Sequence, residues 1–261
     1  MSNDSSNNNE KPLQHMPSSV PWGPGAAIIV TALVFLLSQI GVGVICYLLF
    51  GVVGWTSQRT DQWLSSTFGQ FLTLLLSETL LMCGIWWFLH RRNVSFRLLG
   101  YARRPAWRDI GYAALAFLVY LIALLVLSTL ANVLFHLNLD QKQDIGFDHV
   151  AGATQKVLTL ISLVLLPPIA EETAFRGLLF GGLRAKVPFV AAAVITSVLF
   201  AAPHLLESSS GPLWVAGLDT FILSLVLCYL REKTGALWAG IAVHMAKNSL
   251  AFLFLYVFTG H

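Results

Sequence analysis

The stretch Glu171-Glu172-Thr173-Ala174-Phe175-Arg176-Gly177 puts three ionisable side chains inside an otherwise apolar run from Val157 to Phe180. A charge near the centre of a bilayer-length helix costs roughly 2.5–3.5 kcal/mol on insertion scales, so three together require a pairing or a function. Glu172 and Arg176 stand at i,i+4 with the acid N-terminal, the favoured order for an ion pair on one helical face. Glu171 then lies about 100° further round the helix. Two readings are open: an ionic staple between helices, or a structural pair beside a carboxylate that does chemistry.

Other polar residues interrupt later apolar runs. Phe200-Ala201-Ala202-Pro203-His204 ends one of them with a histidine, which alone is as consistent with an interfacial residue. His244-Met245-Ala246-Lys247-Asn248 places His244 and Asn248 at i,i+4 on one face, where both side chains can reach one point of a bundle. Such pairs also serve as glue between membrane helices. As a set, two glutamates, two histidines and an asparagine on three apolar segments exceed what packing requires.

Amide hydrolysis would use such a set. It needs a base to activate water, a proton donor for the leaving amine, and donors for the developing oxyanion. A carboxylate with a histidine supplies the first two, and a second histidine with an asparagine amide supplies the third. Two histidines and a glutamate are also a catalytic zinc set, here Glu171, His204 and His244. The His-Glu-x-x-His helix motif of zinc peptidases is absent, as is any Gly-x-Ser-x-Gly elbow for a serine nucleophile.

The elements that carry these residues follow from composition. The 261 residues are 56% hydrophobic and 11% charged, against about 25% charged in soluble domains, so the chain is a polytopic membrane protein. Counting about 20 residues per span gives seven helices, near Ala26–Val53, Phe68–Leu89, Asp109–Leu134, Val157–Phe180, Pro188–His204, Leu213–Leu230 and Gly235–Phe258. The fold class is all-α, a transmembrane bundle with the active site in its core. Residues 1–24, rich in asparagine, serine and proline, read as a disordered polar tail with no cleavable signal peptide. Residues 25–156 hold the first three spans and 157–261 the last four. Cys46, Cys83 and Cys228 lie in separate apolar runs without metal-type spacing and read as small core hydrophobes.

Positive charge sets the expected orientation. Lys11, Arg91, Arg92, Arg97, Arg103, Arg104, Arg108, Arg184, Lys186, Arg231 and Lys233 fall on one side of the seven spans, against Arg59, Lys142 and Lys156 on the other. This predicts a cytoplasmic N-terminus, an outward C-terminus, and an outward loop bearing Asp140, Asp144 and Asp148. The net charge of +3 sits in those loops and gives no basis for nucleic-acid binding. Trp22, Trp55, Trp63, Trp107, Trp214 and Trp238 stand near span ends, as an interfacial belt would. Glu78 and Asp219 are further intramembrane acids, and Lys247 is placed to pair with Asp219 or to snorkel.

Glu171-Glu172-x-x-x-Arg176, Phe200-x-x-x-His204 and His244-x-x-x-Asn248, in that order on successive apolar segments, resemble the three motifs of the CAAX prenyl protease and bacteriocin-processing (CPBP, or Abi) intramembrane proteases. Thr234-Gly235-Ala236-Leu237-Trp238 before the third motif adds to the likeness, which covers Val157 to Phe258. The resemblance implies an endopeptidase acting on a membrane-associated or lipidated protein. It assigns water activation to Glu171 and His204, the oxyanion to His244 and Asn248, and a supporting role to Glu172 and Arg176. Members are described both as metalloproteases and as metal-independent glutamate proteases; Asn248 is a poor zinc ligand, which favours the metal-free scheme with no cofactor. A carrier or a scaffold, bacteriocin self-immunity included, is the competing class.

One mismatch remains. Counted from the shared side, Glu171 lies roughly 14 Å and His204 roughly 24 Å along their helices. To meet, either the fourth span runs past Gly181-Gly182, or the fifth begins outside the hydrocarbon, or the helices tilt. Pro167-Pro168 also removes two backbone donors and should bend the fourth span.

Overall fold

The computed structural model describes residues 20–136, 145–147, 150–206 and 211–258. Most of the polar N-terminal tail and the loop acids Asp140, Asp144 and Asp148 lie outside these residues. The described chain is all helical, and seven of its helices are long and apolar enough to cross a membrane. They are α1 (Pro24–Val52), α3 (Thr67–His90), α4 (Trp107–Phe135), α5 (Ala153–Arg184), α6 with its terminal turn (Phe189–Leu206), α7 (Trp214–Thr234) and α8 (Trp238–Phe258).

An eighth helix, α2 (Ser57–Leu64), sits between α1 and α3 and was not expected. Its sequence is polar and a little over two turns long, so no apolar run reveals it. Thr56 caps it by accepting from the Arg59 amide, and Trp55 stacks on Phe50 with ring centroids 4.5 Å apart. The element is a short polar connector between two spans.

The long helices are apolar on nearly every face, which is the signature of lipid contact rather than of a soluble core. Leu37 and Leu48 of α1, and Leu125 and Val133 of α4, are each more than 60% exposed to the surroundings. The interior divides around α5. On one side Leu81, Ile85 and Phe88 of α3 pack with Ala27, Phe175, Leu178 and Phe200; on the other Ala113 and Tyr120 of α4 pack with Leu223, Leu227 and Val243. Helix α5 is therefore the axle on which both halves close.

Two tryptophans depart from the expected belt. Trp107 is exposed at the start of α4 as the belt predicts, but Trp22 is only 4% exposed and donates its indole N–H to the Leu178 carbonyl at 3.0 Å. Trp238 donates to the Arg103 carbonyl at 2.8 Å. Both indoles tie a chain segment to the core, the usual fate of a buried Trp N–H. Of the three thiols, Cys46 and Cys228 are buried as expected, whereas Cys83 faces outward.

Candidate functional site

The local backbone of α5 is set by Pro167 and Pro168. Neither can donate a hydrogen bond, so the carbonyl of Leu163 loses its partner whether the helix continues with four- or five-residue spacing. Just upstream the helix widens: residues Ile161–Leu165 are π-helical, and the Leu166 N–H reaches back to Ile161. The released Leu163 carbonyl accepts from the side-chain amide of Asn248 on α8 at 2.8 Å. A defect made by two prolines in one helix thus fixes a polar side chain in another.

A second π-helical stretch, Glu172–Leu179, holds the charged motif. Single π turns inside α-helices recur at functional sites because they reorient side chains without ending the helix. Glu172 and Arg176 are both fully buried, with Arg176 Nη1 donating to Glu172 Oε1 at 2.7 Å, so the i,i+4 pairing read from the sequence is present. The guanidinium also lies over the Phe200 ring, its Cζ 4.2 Å from the centroid.

His244 joins this pair. Its Nδ1 is 3.2 Å from Glu172 Oε1, and its Nε2 is 3.7 Å from Glu171 Oε2. A carboxylate clamped by a guanidinium is an acceptor, so Nδ1–H donates to Glu172 and the ring orientation is fixed by that bond. The sequence placed His244 beside Asn248 but gave no sign that Glu172 would hold it. The approach is tight: a Cβ on Gly240, one turn before His244, would stand 3.2 Å from Glu172 Oε2 and press that carboxylate aside by a few tenths of an ångström.

Glu171 is the more accessible of the two acids, with its side chain 13% exposed against 1% for Glu172. It lines a cavity of about 660 Å³ between α1, α3, α5 and α6, together with His204, Pro203, Phe175 and Phe200. His204 stands on the 3₁₀ turn Pro203–Leu206 that ends α6 and is half-buried. The depth mismatch is resolved by length. Helix α5 continues through Gly181-Gly182 to Arg184, so Glu171 lies about 20 Å from that end, and His204 about 22 Å from the start of α6.

Phe200 packs edge-on against both histidines, its ring centroid 5.8 Å from that of His204 and 5.9 Å from that of His244. Among the described residues no three His, Cys, Asp or Glu side chains converge as a metal-holding group. Glu171 and His244 approach each other at 3.7 Å, but on that geometry Glu171, His204 and His244 do not converge as the zinc set.

Asp219 and Lys247 fall outside the cluster. They pair with each other at 3.5 Å, and Tyr120 donates its hydroxyl to Asp219, a structural tie between α4, α7 and α8. Tyr101, from the basic loop before α4, was not flagged by any motif. It donates to Thr173 at 2.7 Å, since the single hydroxyl hydrogen of Thr173 is given to the Ile169 carbonyl. The loop is thereby fastened to the residue next to Glu172. Burial, with the Glu172 carboxylate adding, raises the Tyr101 phenol above its ordinary value.

Residues 153–250 match the family described as Type II CAAX prenyl endopeptidase Rce1-like. That segment runs from the start of α5 into α8 and contains every residue of the cluster. A protein of Escherichia coli known as an uncharacterized 24.3 kDa protein is 33% identical over 100 residues, which are 38% of this chain and 44% of that protein. The chain thus matches less than half the length of this relative. No solved structure matches.

Proposed function

We propose that this chain, a CPBP-family protein through its Rce1-like segment 153–250, is an intramembrane endopeptidase that hydrolyses a peptide bond in a membrane-associated or lipidated protein. The observation that carries the reading is His244 held between Glu172 at 3.2 Å and Glu171 at 3.7 Å, beside a cavity that Glu171 and His204 both line. A staple needs one acid and one base; a histidine fixed by one acid and facing a second acid that lines a cavity is built for proton transfer.

In this scheme Glu171, with His204, takes a proton from a water in the cavity as the water oxygen attacks the scissile carbonyl. His204 returns a proton to the leaving amine. The carbonyl oxygen becomes an oxyanion facing Asn248 and His244. An asparagine amide has two N–H donors, and Asn248 gives one to Leu163, which orients the other. With Nδ1 given to Glu172, His244 serves the oxyanion from Nε2 in its imidazolium form, with the Glu172 carboxylate as counter-charge. Glu172 and Arg176 position the ring and touch no substrate.

The scheme is metal-free. Activity of the purified enzyme should persist in EDTA, and loss on chelation with recovery on adding zinc would overturn that part. The side bearing the basic loops is the cytoplasmic one in this reading, with the end of α8 outside. Glu171→Gln keeps shape and hydrogen bonding but removes the base; it should fold and lose activity by at least about 100-fold. The measurement is the set of new peptide N-termini in wild-type and Glu171→Gln membranes. Equal cleavage in the two overturns the role of Glu171, and absence of any cleavage by the wild type favours a carrier or scaffold.

A further inference from the structure

The cavity has a second polar wall. Opposite Glu171 and His204, helices α1 and α3 line it with Thr31, Gln39 and Glu78. Glu78 is 4% exposed; its Oε1 accepts from Gln39 Nε2 at 3.4 Å, and its Oε2 has no hydrogen-bond partner among the described residues. Thr31, 3% exposed, likewise has an unpartnered hydroxyl oxygen. Buried polar atoms are ordinarily satisfied, so two orphan oxygens lining one cavity need an explanation.

Their depth supplies one. Spans alternate in direction, so the start of α1, the end of α3, the end of α5 and the start of α6 share one side. From those ends Gln39 lies about 22 Å, Glu78 about 18 Å, Glu171 about 20 Å and His204 about 22 Å along the helices. All four occupy one layer, with the candidate catalytic pair on one wall and the Gln39–Glu78 pair on the other.

A peptide bond can be attacked only where the substrate is unwound, and unwinding in an apolar chamber strips backbone N–H groups of their partners. We propose that Glu78, seated by Gln39, is a substrate-binding residue that accepts a backbone N–H of the extended peptide beside the scissile bond. Its Oε2 takes the hydrogen bond, and Gln39 holds the carboxylate in place from Oε1. This rests on the peptidase reading above. A structural Glu78 would stabilise the α1–α3 contact and leave the affinity for substrate alone.

The test uses the full-length enzyme in detergent. The first probe is a farnesylated peptide ending in Cys-aliphatic-aliphatic-X. If that is not cut, the probe is a synthetic copy of the site identified by comparing wild-type and Glu171→Gln membranes. N-methylation of successive backbone amides removes one N–H at a time. At one position next to the scissile bond it should raise KM about 10- to 100-fold with kcat within about 3-fold, the range for a hydrogen bond to a charged acceptor. Glu78→Leu should raise KM equally on the unmodified peptide and erase the effect of methylation. Glu78→Gln, which still offers an acceptor, should stay within about 5-fold of wild type.

Equal KM for every N-methyl peptide on the wild type overturns the proposal without needing a variant that folds. A Glu78→Gln loss as large as that of Glu78→Leu also overturns it, because a cationic group of the substrate would then be the partner. The two readings fail separately. If Glu171→Gln abolishes cleavage while Glu78→Leu leaves KM unchanged, only this inference falls. If Glu171→Gln cleaves normally, the peptidase assignment of Glu171 falls whatever Glu78 does, and a wild type that cuts nothing removes both.

Discussion

Replacing Arg176 by methionine tests whether the buried pair is a structural clamp. Arg176 and Glu172 are both fully buried, their contact is 2.7 Å, and Glu172 Oε2 has no hydrogen-bond partner among the described residues. Methionine fills similar space without charge, leaving the buried Glu172 carboxylate without its guanidinium and with the His244 Nδ1–H as its remaining contact. Removing one partner of a buried pair costs about 3–5 kcal/mol. Loss of the guanidinium from the Phe200 face adds about 1 kcal/mol, for a total of about 4–6 kcal/mol. Unfolding in mixed micelles of rising SDS fraction, followed by tryptophan fluorescence, measures this. The companion Glu172→Gln/Arg176→Met removes both charges and should return to within about 1 kcal/mol of wild type, since a buried pair and a neutral replacement are close in net stability. Its activity should still fall at least about 10-fold, because a neutral amide anchors His244 less firmly than a carboxylate. A single variant within 1 kcal/mol of wild type would refute the clamp. A double variant as unstable as the single one would show that the cost came from lost packing of the arginine stem, not from a stranded charge.

Two more outcomes follow from the same contacts. Asn248→Leu removes the proposed oxyanion donor and should lower kcat about 100- to 1,000-fold; Pro167→Ala, which restores a helical donor to Leu163, should compete for that carbonyl and lower kcat by about 10-fold, with Asn248→Leu showing no further loss from it, as a double-mutant cycle in single-turnover assays would reveal. Tyr101 has a folded-state pKa above its ordinary value of 10, chiefly through burial, so its contribution to stability is whole below about pH 10 and declines as pH rises beyond it. Wild type should therefore lose more unfolding free energy than Tyr101→Phe between about pH 9 and pH 11; equal losses would refute the sign.

The number of spans was legible because lipid imposes a length and a composition on each helix, and all seven follow from apolar runs alone. Their ends were less so. Apolarity alone gives the fourth span as Val157–Phe180, yet it runs Ala153–Arg184, because Gly181-Gly182 reads locally as a break, whereas in the fold Trp22 and Ala27 pack where a Cβ on Gly182 would stand. Pairing of Glu172 with Arg176 was readable, being local to about one turn. Its third member was not: His244 is 72 residues from Glu172, and only the crossing of α8 on α5 joins them. The tryptophans show the same limit, since Trp107 at a span end and Trp238 at a span end differ only in whether a loop folds over them.

The proline pair shows how far a sequence rule can be carried once one contact is known. From sequence, Pro167-Pro168 predicted two missing donors and a bend that admits water. Missing donors imply orphan carbonyls, and an orphan carbonyl inside a membrane must find a donor from elsewhere. The only ambiguity was which side chain supplies it, and the structure answers with Asn248, which the third motif had already marked. Asparagine suits the position for a reason that serine or histidine does not share. Its two N–H groups let one hydrogen bond satisfy the backbone of α5 while the other is left to give, so the same residue closes a helix defect and can serve the proposed oxyanion. The prolines and the asparagine, 80 residues apart at the nearest, are on this account one device, and a variant that repairs the helix should damage the chemistry.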